Sequence, residues 1–319
     1  MKAPAFWYKS PGLISTLLWP ASLFYRMGGV IRRTVASPYH AKIPVICIGN
    51  IIAGGAGKTP VTLTLAKMMQ EKGHKPVFVT RGYGGREHGP LQVDLSRHTA
   101  RDVGDEALLL ARVAPLWIGR DRAAAIRAAE PHGTHIIIDD GLQNPSILPD
   151  LAFLVIDGSI AFGNGRLIPA GPLRETFNEA MRRVTAIILI GDDAGQRITP
   201  RLRCPVIRAH WHPDFPDDFP HEQNFYAFAG IGRPEKFYAT CAEAGVTLVG
   251  TKDFPDHHMF STGELAGLQK QAETLGARLL TTEKDWVRLP PGFQDKVTVF
   301  RARLAFDESE MLIKMIDKS

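Results

Sequence analysis

Apolar residues come in short dense runs along this chain: VICIG at 45–49, PVFVT at 76–80, THIIIDD at 134–140, LAFLVID at 151–157 and AIILI at 186–190. Runs of that length without strict alternation predict strands covered on both faces. Helical spacing fills the gaps, first over 61–72 and ended by Gly73, then from Val103-Gly104-Asp105-Glu106 to about 113. A short strand ends at 117–119, and an alanine-rich helix starts at Arg120 and Arg122. Repeated alternation of strand and helix implies right-handed crossovers, hence an α/β protein with a mostly parallel sheet flanked by helices. Prolines and acids interrupt the pattern in HWHPDFPDDFPH at 210–221, which reads as a domain boundary. Beyond it strands are expected at 225–229, 246–251, 279–281 and 297–302, with helices at 234–244 and 262–275 and one at the end. The chain thus divides into an N-terminal helical segment over 1–35, a larger domain over 36–212 and a smaller α/β domain over 213–319.

The N-terminal segment breaks the rhythm. Residues 6–33 carry Phe6, Trp7, Tyr8, Trp19, Phe24 and Tyr25 among aliphatics, with Lys9, Arg26, Arg32 and Arg33 at the edges. Its longest uncharged run is interrupted by Pro11 and Pro20 and is too short to span a bilayer. Aromatics mixed with cations suit an amphipathic helix lying in a membrane interface, and a packed helix is the alternative. A cleaved signal peptide fits poorly ahead of a nucleotide-binding loop, which needs a compartment that holds nucleotide.

Composition adds little to this picture. With 319 residues, 45% hydrophobic and 22% charged, the chain is long enough for two cored domains and is not disordered. Cys47, Cys204 and Cys241 lie far apart with no C-x-x-C, so neither a disulfide framework nor a zinc knuckle is indicated. A net charge of +5 suits an anionic partner, a lipid surface or a phosphorylated substrate among them. The positive charge is spread through loops and not clustered with aromatics, which argues against a nucleic-acid-binding module. No obligate protein partner is evident.

Chemistry enters at 45–64. Gly54, Gly55, Ala56 and Gly57 between a strand and a helix let backbone N–H groups converge on an anion, Lys58 supplies a point charge, and the Thr59 hydroxyl can reach Mg²⁺. Ile52 stands where the strict P-loop pattern has its first glycine, so the fit is to the variant G-G-x-G-K-T. Dimeric switches with such variants often carry an extra lysine where this chain has Ala53. Asp139 and Asp140 end a buried strand, where a P-loop protein holds Mg²⁺. Arg81-Gly82-Tyr83-Gly84-Gly85-Arg86 and the loop 163–175, with Arg166, Arg174 and Glu175, are cationic loops at the ligand-binding edge. Asp105 and Glu106 are ordinarily read as first-turn caps, but an acid facing a phosphate site could take a proton from an incoming hydroxyl. His210, His212 and His221 have no ordered metal-ligand spacing.

Taken in order, these residues resemble the tetraacyldisaccharide 4'-kinases of lipid A biosynthesis. The pieces are Gly49-Asn50 with 54–60, Arg81-Gly82-Tyr83, 103–106, Asp139-Asp140-Gly141-Leu142-Gln143, 169–175, 228–234, Asp256-His257-His258 and 281–285. The resemblance implies an ATP- and Mg²⁺-dependent kinase acting on the 4'-hydroxyl of an acylated disaccharide 1-phosphate. It also implies an anionic membrane surface at the cytoplasmic face of the bacterial inner membrane, with peripheral or monotopic attachment. It further implies that Asp105 is the base and His257, from the smaller domain, its partner, with Lys58 on the phosphates. Asn50 and Tyr83 are candidates for holding the sugar, Arg122 and Arg174 for gripping phosphate, and Glu175 for a further substrate contact. Asn144 stands where similar sequences often have His, and Ala107 and Thr176 where they often have Pro. The rival reading is a P-loop ATPase or GTPase of the deviant class acting as a regulatory or assembly switch.

Overall fold

The computed structural model describes residues 4–193, 204–216 and 219–319. Thirteen strands are found among them. They are β1 (Val45–Gly49), β2 (Pro76–Thr80), β3 (Leu91–Gln92), β4 (Leu116–Ile118), β5 (His135–Asp139), β6 (Leu151–Asp157), β7 (Ala186–Ile190), β8 (Val206–Pro213), β9 (Phe225–Ala229), β10 (Leu248–Asp253), β11 (Arg278–Thr282), β12 (Val297–Phe300) and β13 (Ala302–Phe306).

Nine strands form one sheet in the order β13-β8-β7-β6-β1-β5-β2-β4-β3, and four form a second in the order β10-β9-β11-β12. Every residue of β1, β2, β5, β6 and β7 is buried, as their unbroken apolar runs require of parallel strands covered by helices on both faces. Only the edge pairs of the large sheet, β3 with β4 and β13 with β8, are antiparallel. The small sheet is parallel throughout.

The proline-rich run starts inside the last strand of the large sheet before the small one. His210, Trp211 and His212 lie inside β8, whose alternate residues Ile207 and Ala209 are fully buried. Asp217 and Asp218 of that run lie outside the described residues. The small sheet ends with β12, and the next strand, β13, returns to cover β8, pairing Leu304 with Trp211 and Phe306 with Ala209. A helix, Ser309–Ile316, then buries Leu312, Ile313 and Ile316 in the core of the large sheet. Residues 302–319 therefore pack with the large unit and not with the small one. An uncovered β8 would leave its backbone groups unpaired at a sheet edge, and β13 removes most of that exposure.

The N-terminal segment forms a helix at Leu13–Leu17 and, after a break at Leu18, another at Trp19–Thr34 with Pro20 in its first turn. Its pattern is inverted: Ser15 and Ser22 are the buried residues, bonded to the carbonyls of Ala170 and Leu167 at 2.9 Å each. Leu13, Leu17 and Phe24 face outward, 80%, 72% and 71% exposed. Among the described residues no helix is long and apolar enough to cross a membrane.

Candidate active site

The candidate residues gather beyond the C-terminal ends of β1, β2 and β5, the edge at which open parallel sheets bind ligands. A tight turn follows β1, and the helix Lys58–Glu71 starts behind it. Gly57 sits at φ 82, a left-handed conformation that favours glycine, and a Cβ there would also press on the Ile190 side chain. First-turn amides of this helix have no intrahelical acceptor, and its dipole is positive at that end. Gly54, Gly55, Ala56 and Gly57 thus frame an anion cradle. Ile52, in the place of the expected glycine, is buried and bridges to Leu173.

Lys58 Nζ stands 3.7 Å from Asp140 Oδ1, and Arg174 Nη1 donates to the same oxygen at 3.0 Å. Burial raises the Asp140 carboxyl, but Lys58 and Arg174 outweigh it and hold the group below its ordinary range. Asp139, beside it in the chain, fares differently. Burial, then the carboxylates of Glu106 and Asp140, drive its carboxyl well above the usual range against the pull of Lys58 and Thr59. Its direct partners are two hydroxyls: Thr59 Oγ1 donates to Oδ2 at 3.0 Å, and Thr62 Oγ1 lies 3.2 Å from Oδ1.

A carboxylate and a threonine hydroxyl are hard oxygen donors, and a buried acid short of positive charge fits a divalent cation. Among the described residues no cluster of three or more His, Cys, Asp or Glu could hold a metal, so phosphate and water would complete any shell here. His210 instead pairs with Asp307 at 3.3 Å, and His221 packs on Phe215 and Phe219.

Across the cleft Asp105 opens the helix Asp105–Ala111. Gly104, at φ 90, lets this turn pass so close to the Tyr83 carbonyl that a Cβ would come within 2.2 Å of it. Asp105 Oδ2 bonds His257 Nδ1 at 2.9 Å and lies 3.3 Å from Arg288 Nε, while Oδ1 accepts the Glu106 N–H. Burial works against ionisation, but the His257 hydrogen bond, Lys284 and Arg288 overcome it and hold the carboxyl at about 2. The exposed Tyr83 ring lies 5.9 Å from the His257 ring. Asp105 and His257, 152 positions apart, are brought together by the junction of the two units.

Asn50 is fully buried; its Nδ2 bonds the Gly54 carbonyl at 3.3 Å, and its Oδ1 has no partner. Arg122, 6% exposed, donates to the Gly119 carbonyl at 3.1 Å and leaves its Nε unpartnered. Burial pulls its proton affinity down to about 10. Glu175 does not face the cleft: it is buried under Arg183 at 2.8 Å and Arg33 at 3.7 Å, and reaches the site only through Gln143. Asn144 caps a local turn by accepting from Ser146, and Thr176 caps the helix Phe177–Met181.

The residues missed from sequence are supports: Gln143, which ties Asn50 to Glu175; Lys284 and Arg288, on the acids at 105–106; and Arg233 and Lys236, which reach across to Asp157. Lys284 lies within a run already singled out at 281–285, and Arg288 in the turn just past the end of the helix Glu283–Trp286.

A parallel sheet with a glycine cradle, a Lys-Thr pair and an acid pair at one edge defines a P-loop nucleotide-binding protein. The family model described as Tetraacyldisaccharide-1-P 4'-kinase matches residues 14–319, and the chain belongs to that family. A tetraacyldisaccharide 4'-kinase of Rhodospirillum centenum is 47% identical over 323 residues, covering 99% of this chain and 96% of the relative. One from Parvibaculum lavamentivorans is 49% identical, covering 98% and 92%. The crystal structure of LpxK from Aquifex aeolicus in complex with ATP matches with a TM-score of 0.80 at 24% identity, over 96% of this chain and 99% of that one, which shows the shared fold.

Proposed function

We infer that this chain transfers the γ-phosphoryl group of ATP to the 4'-hydroxyl of a tetraacyldisaccharide 1-phosphate at a membrane surface. Membership of the kinase family makes it a phosphotransferase and sets aside the regulatory switch. The observation that carries the chemistry is the Asp105–His257 pair facing a phosphate cradle. The next residue, Glu106, lies close enough to Asp139 to raise its carboxyl.

Phosphoryl transfer asks the protein for alignment and charge neutralisation more than for covalent chemistry. Lys58 and the cradle amides bind the β- and γ-phosphates. Thr59 and Asp139 are the residues that would hold Mg²⁺, which when bound neutralises charge on the phosphate oxygens. Arg122 is a buried guanidinium whose Nε has no hydrogen-bond partner among the described residues, a costly arrangement that a phosphoryl oxygen would relieve. Asn50, with one oxygen unpartnered beside the cradle, and Tyr83, exposed beside His257, suit the sugar. Asp105 stays ionised and accepts the Nδ1 proton of His257 in the tautomer that leaves Nε2 free to take a proton, with Asp256 Oδ2 3.9 Å from it. The pair works as one unit to remove the hydroxyl proton while the cleft excludes water.

The inverted N-terminal helices complete this reading. Outward Leu13, Ile14, Leu17, Trp19 and Phe24, flanked by Lys9 and Arg32, suit the interface of an anionic bilayer, where the four-chain substrate resides. ATP is available on the cytoplasmic side of the bacterial inner membrane, which makes that face the working surface.

The test is transfer from labelled ATP, with Mg²⁺, to the lipid disaccharide in mixed micelles, against ATP alone. Labelled lipid is expected; nucleotide turnover with no labelled lipid would overturn the substrate. Removing residues 1–33 should weaken co-sedimentation with anionic vesicles, and equal binding would move the membrane contact elsewhere.

A further inference from the structure

We propose that Lys284 and Arg288 are positioning residues that hold Asp105 and His257 in register across the junction of the two units. Arg288 touches Asp105 directly and the backbone carbonyl of the residue after His257. Its Nε lies 3.3 Å from Asp105 Oδ2, the oxygen that also binds His257 Nδ1. Its Nη1 donates to the His258 carbonyl at 3.0 Å, immediately after the imidazole, and both Nη atoms donate to the Gly230 carbonyl. That same carbonyl accepts the His257 backbone N–H at 3.1 Å.

His257 needs this support, because it is a non-glycine residue at φ 59. Such a conformation persists where the surroundings over-determine it, and it clusters at working sites. Here the His258 carbonyl and the Gly230 carbonyl that accepts the His257 N–H are both held by one guanidinium, itself 1% exposed and paired with the fully buried Asp285 at 3.1 Å. Asp285 in turn accepts the Gly230 N–H and the Thr282 hydroxyl, so the scaffold behind the imidazole is fully bonded.

Lys284, four residues before Arg288, reaches Glu106 at 3.0 Å. One turn of the small unit therefore grips two consecutive acids of the large unit. Three groups bear on the Asp105 carboxylate: His257, Lys284 and Arg288 draw it toward ionisation, and Lys284 also takes up the neighbouring Glu106. A surface ion pair would not explain burial this deep or donation both to the His258 carbonyl and to the Gly230 carbonyl that accepts the His257 N–H.

The proposal rests on the kinase reading, and the experiment separates the two. Wild-type enzyme with no lipid transfer would sink that reading. With transfer established, Arg288→Lys keeps the charge but cannot reach all its acceptors. We expect kcat to fall at least tenfold, with KM for ATP and lipid changed less than twofold. The ¹⁵N shifts of the His257 imidazole should show a weakened Nδ1 bond. Unchanged kcat and imidazole shifts in the folded variant would overturn the proposal. Should Arg288→Lys not fold, Lys284→Met and Lys284→Arg decide: a kcat loss in the first, largely recovered in the second with KM unchanged, supports the clamp. Equal kcat in wild type and Lys284→Met overturns it.

Discussion

Asp139-Asp140 at the end of β5 and Asp105-Glu106 at the start of the helix Asp105–Ala111 are both adjacent acids on one sheet edge, and each pair has a deeply buried member. Asp105 is drawn down to about 2 because the small unit delivers His257, Lys284 and Arg288 to it. Asp139 is pushed up, because its neighbours within reach are hydroxyls, another pair of carboxylates and a lysine shared with Asp140. The same burial thus yields a finished site and an unfinished one. The difference lies in whether the counter-charge is part of the chain. Where it is not, the chemistry points to a cation that arrives with the nucleotide.

The sharpest way to break this comparison is catalytic. Asp105→Ala should lower kcat by on the order of 10² or more with little change in ATP affinity, since it removes half of a proton-accepting pair. Asp139→Asn should act through the metal, raising the Mg²⁺ needed for half-maximal rate. Steady-state kinetics over a Mg²⁺ titration checks both. A variant at 105 that regains its rate in high Mg²⁺ would mean the two pairs do one job.

Stability should separate them by sign. Asp105→Asn loses a carboxylate that its surroundings favour, a cost of about 2 kcal/mol for a shift from about 3.9 unfolded to about 2 folded. Asp139→Asn removes an acid whose ionised form the apo protein disfavours, so its melting temperature in chelator should rise. Melts falling in both variants would show that Asp139 is already compensated within the chain.

Much of this contrast was legible in advance, and for physical reasons. Strands such as 151–157 advertise themselves because both faces are buried, and the cradle does so because the left-handed turn at Gly57 favours glycine. The edges were not legible. β8 carries its alternation in Ile207 and Ala209, diluted by His210, His212 and Pro213, and β13 pairs with it only after the whole small unit intervenes. The Asp105–His257 bond came from family resemblance, since no spacing along a chain announces a contact made across 152 positions. The substrate role of Glu175 rests on the family resemblance alone, and no pattern in the sequence foretells the Arg183 and Arg33 that lie against it.

The pH dependence of folding carries the same comparison. Asp105 has a folded value below its unfolded one, so its contribution is present above about pH 4 and is lost as pH falls toward 2. Asp139 is raised, so the folded state holds its proton more tightly, and stability should decline as pH climbs above the ordinary carboxylate range. Chelated wild type should therefore lose stability from pH 5 toward 8 relative to Asp139→Asn, and Mg²⁺ with nucleotide should erase the difference. Parallel pH profiles of the two proteins would contradict it.

The smallest expected effect isolates the hydroxyls. Thr62 Oγ1 is shared between the Lys58 carbonyl at 3.0 Å and Asp139 Oδ1 at 3.2 Å, so Thr62→Val removes a donor while keeping the shape. A hydrogen bond to a buried polar group is worth about 1 kcal/mol net, and the helix N-terminus supplies no substitute at that oxygen. If Asp139 lacks positive charge, losing this donor must push its carboxyl up further, so the variant should need more Mg²⁺ while kcat at saturation changes less than twofold. Asp105 has no part in that bond, and the acid-side loss of stability toward pH 2 should be the same as in wild type. A shift there instead would mean that the two acid pairs are electrostatically one cluster, joined through Glu106, the residue that already bears on Asp139.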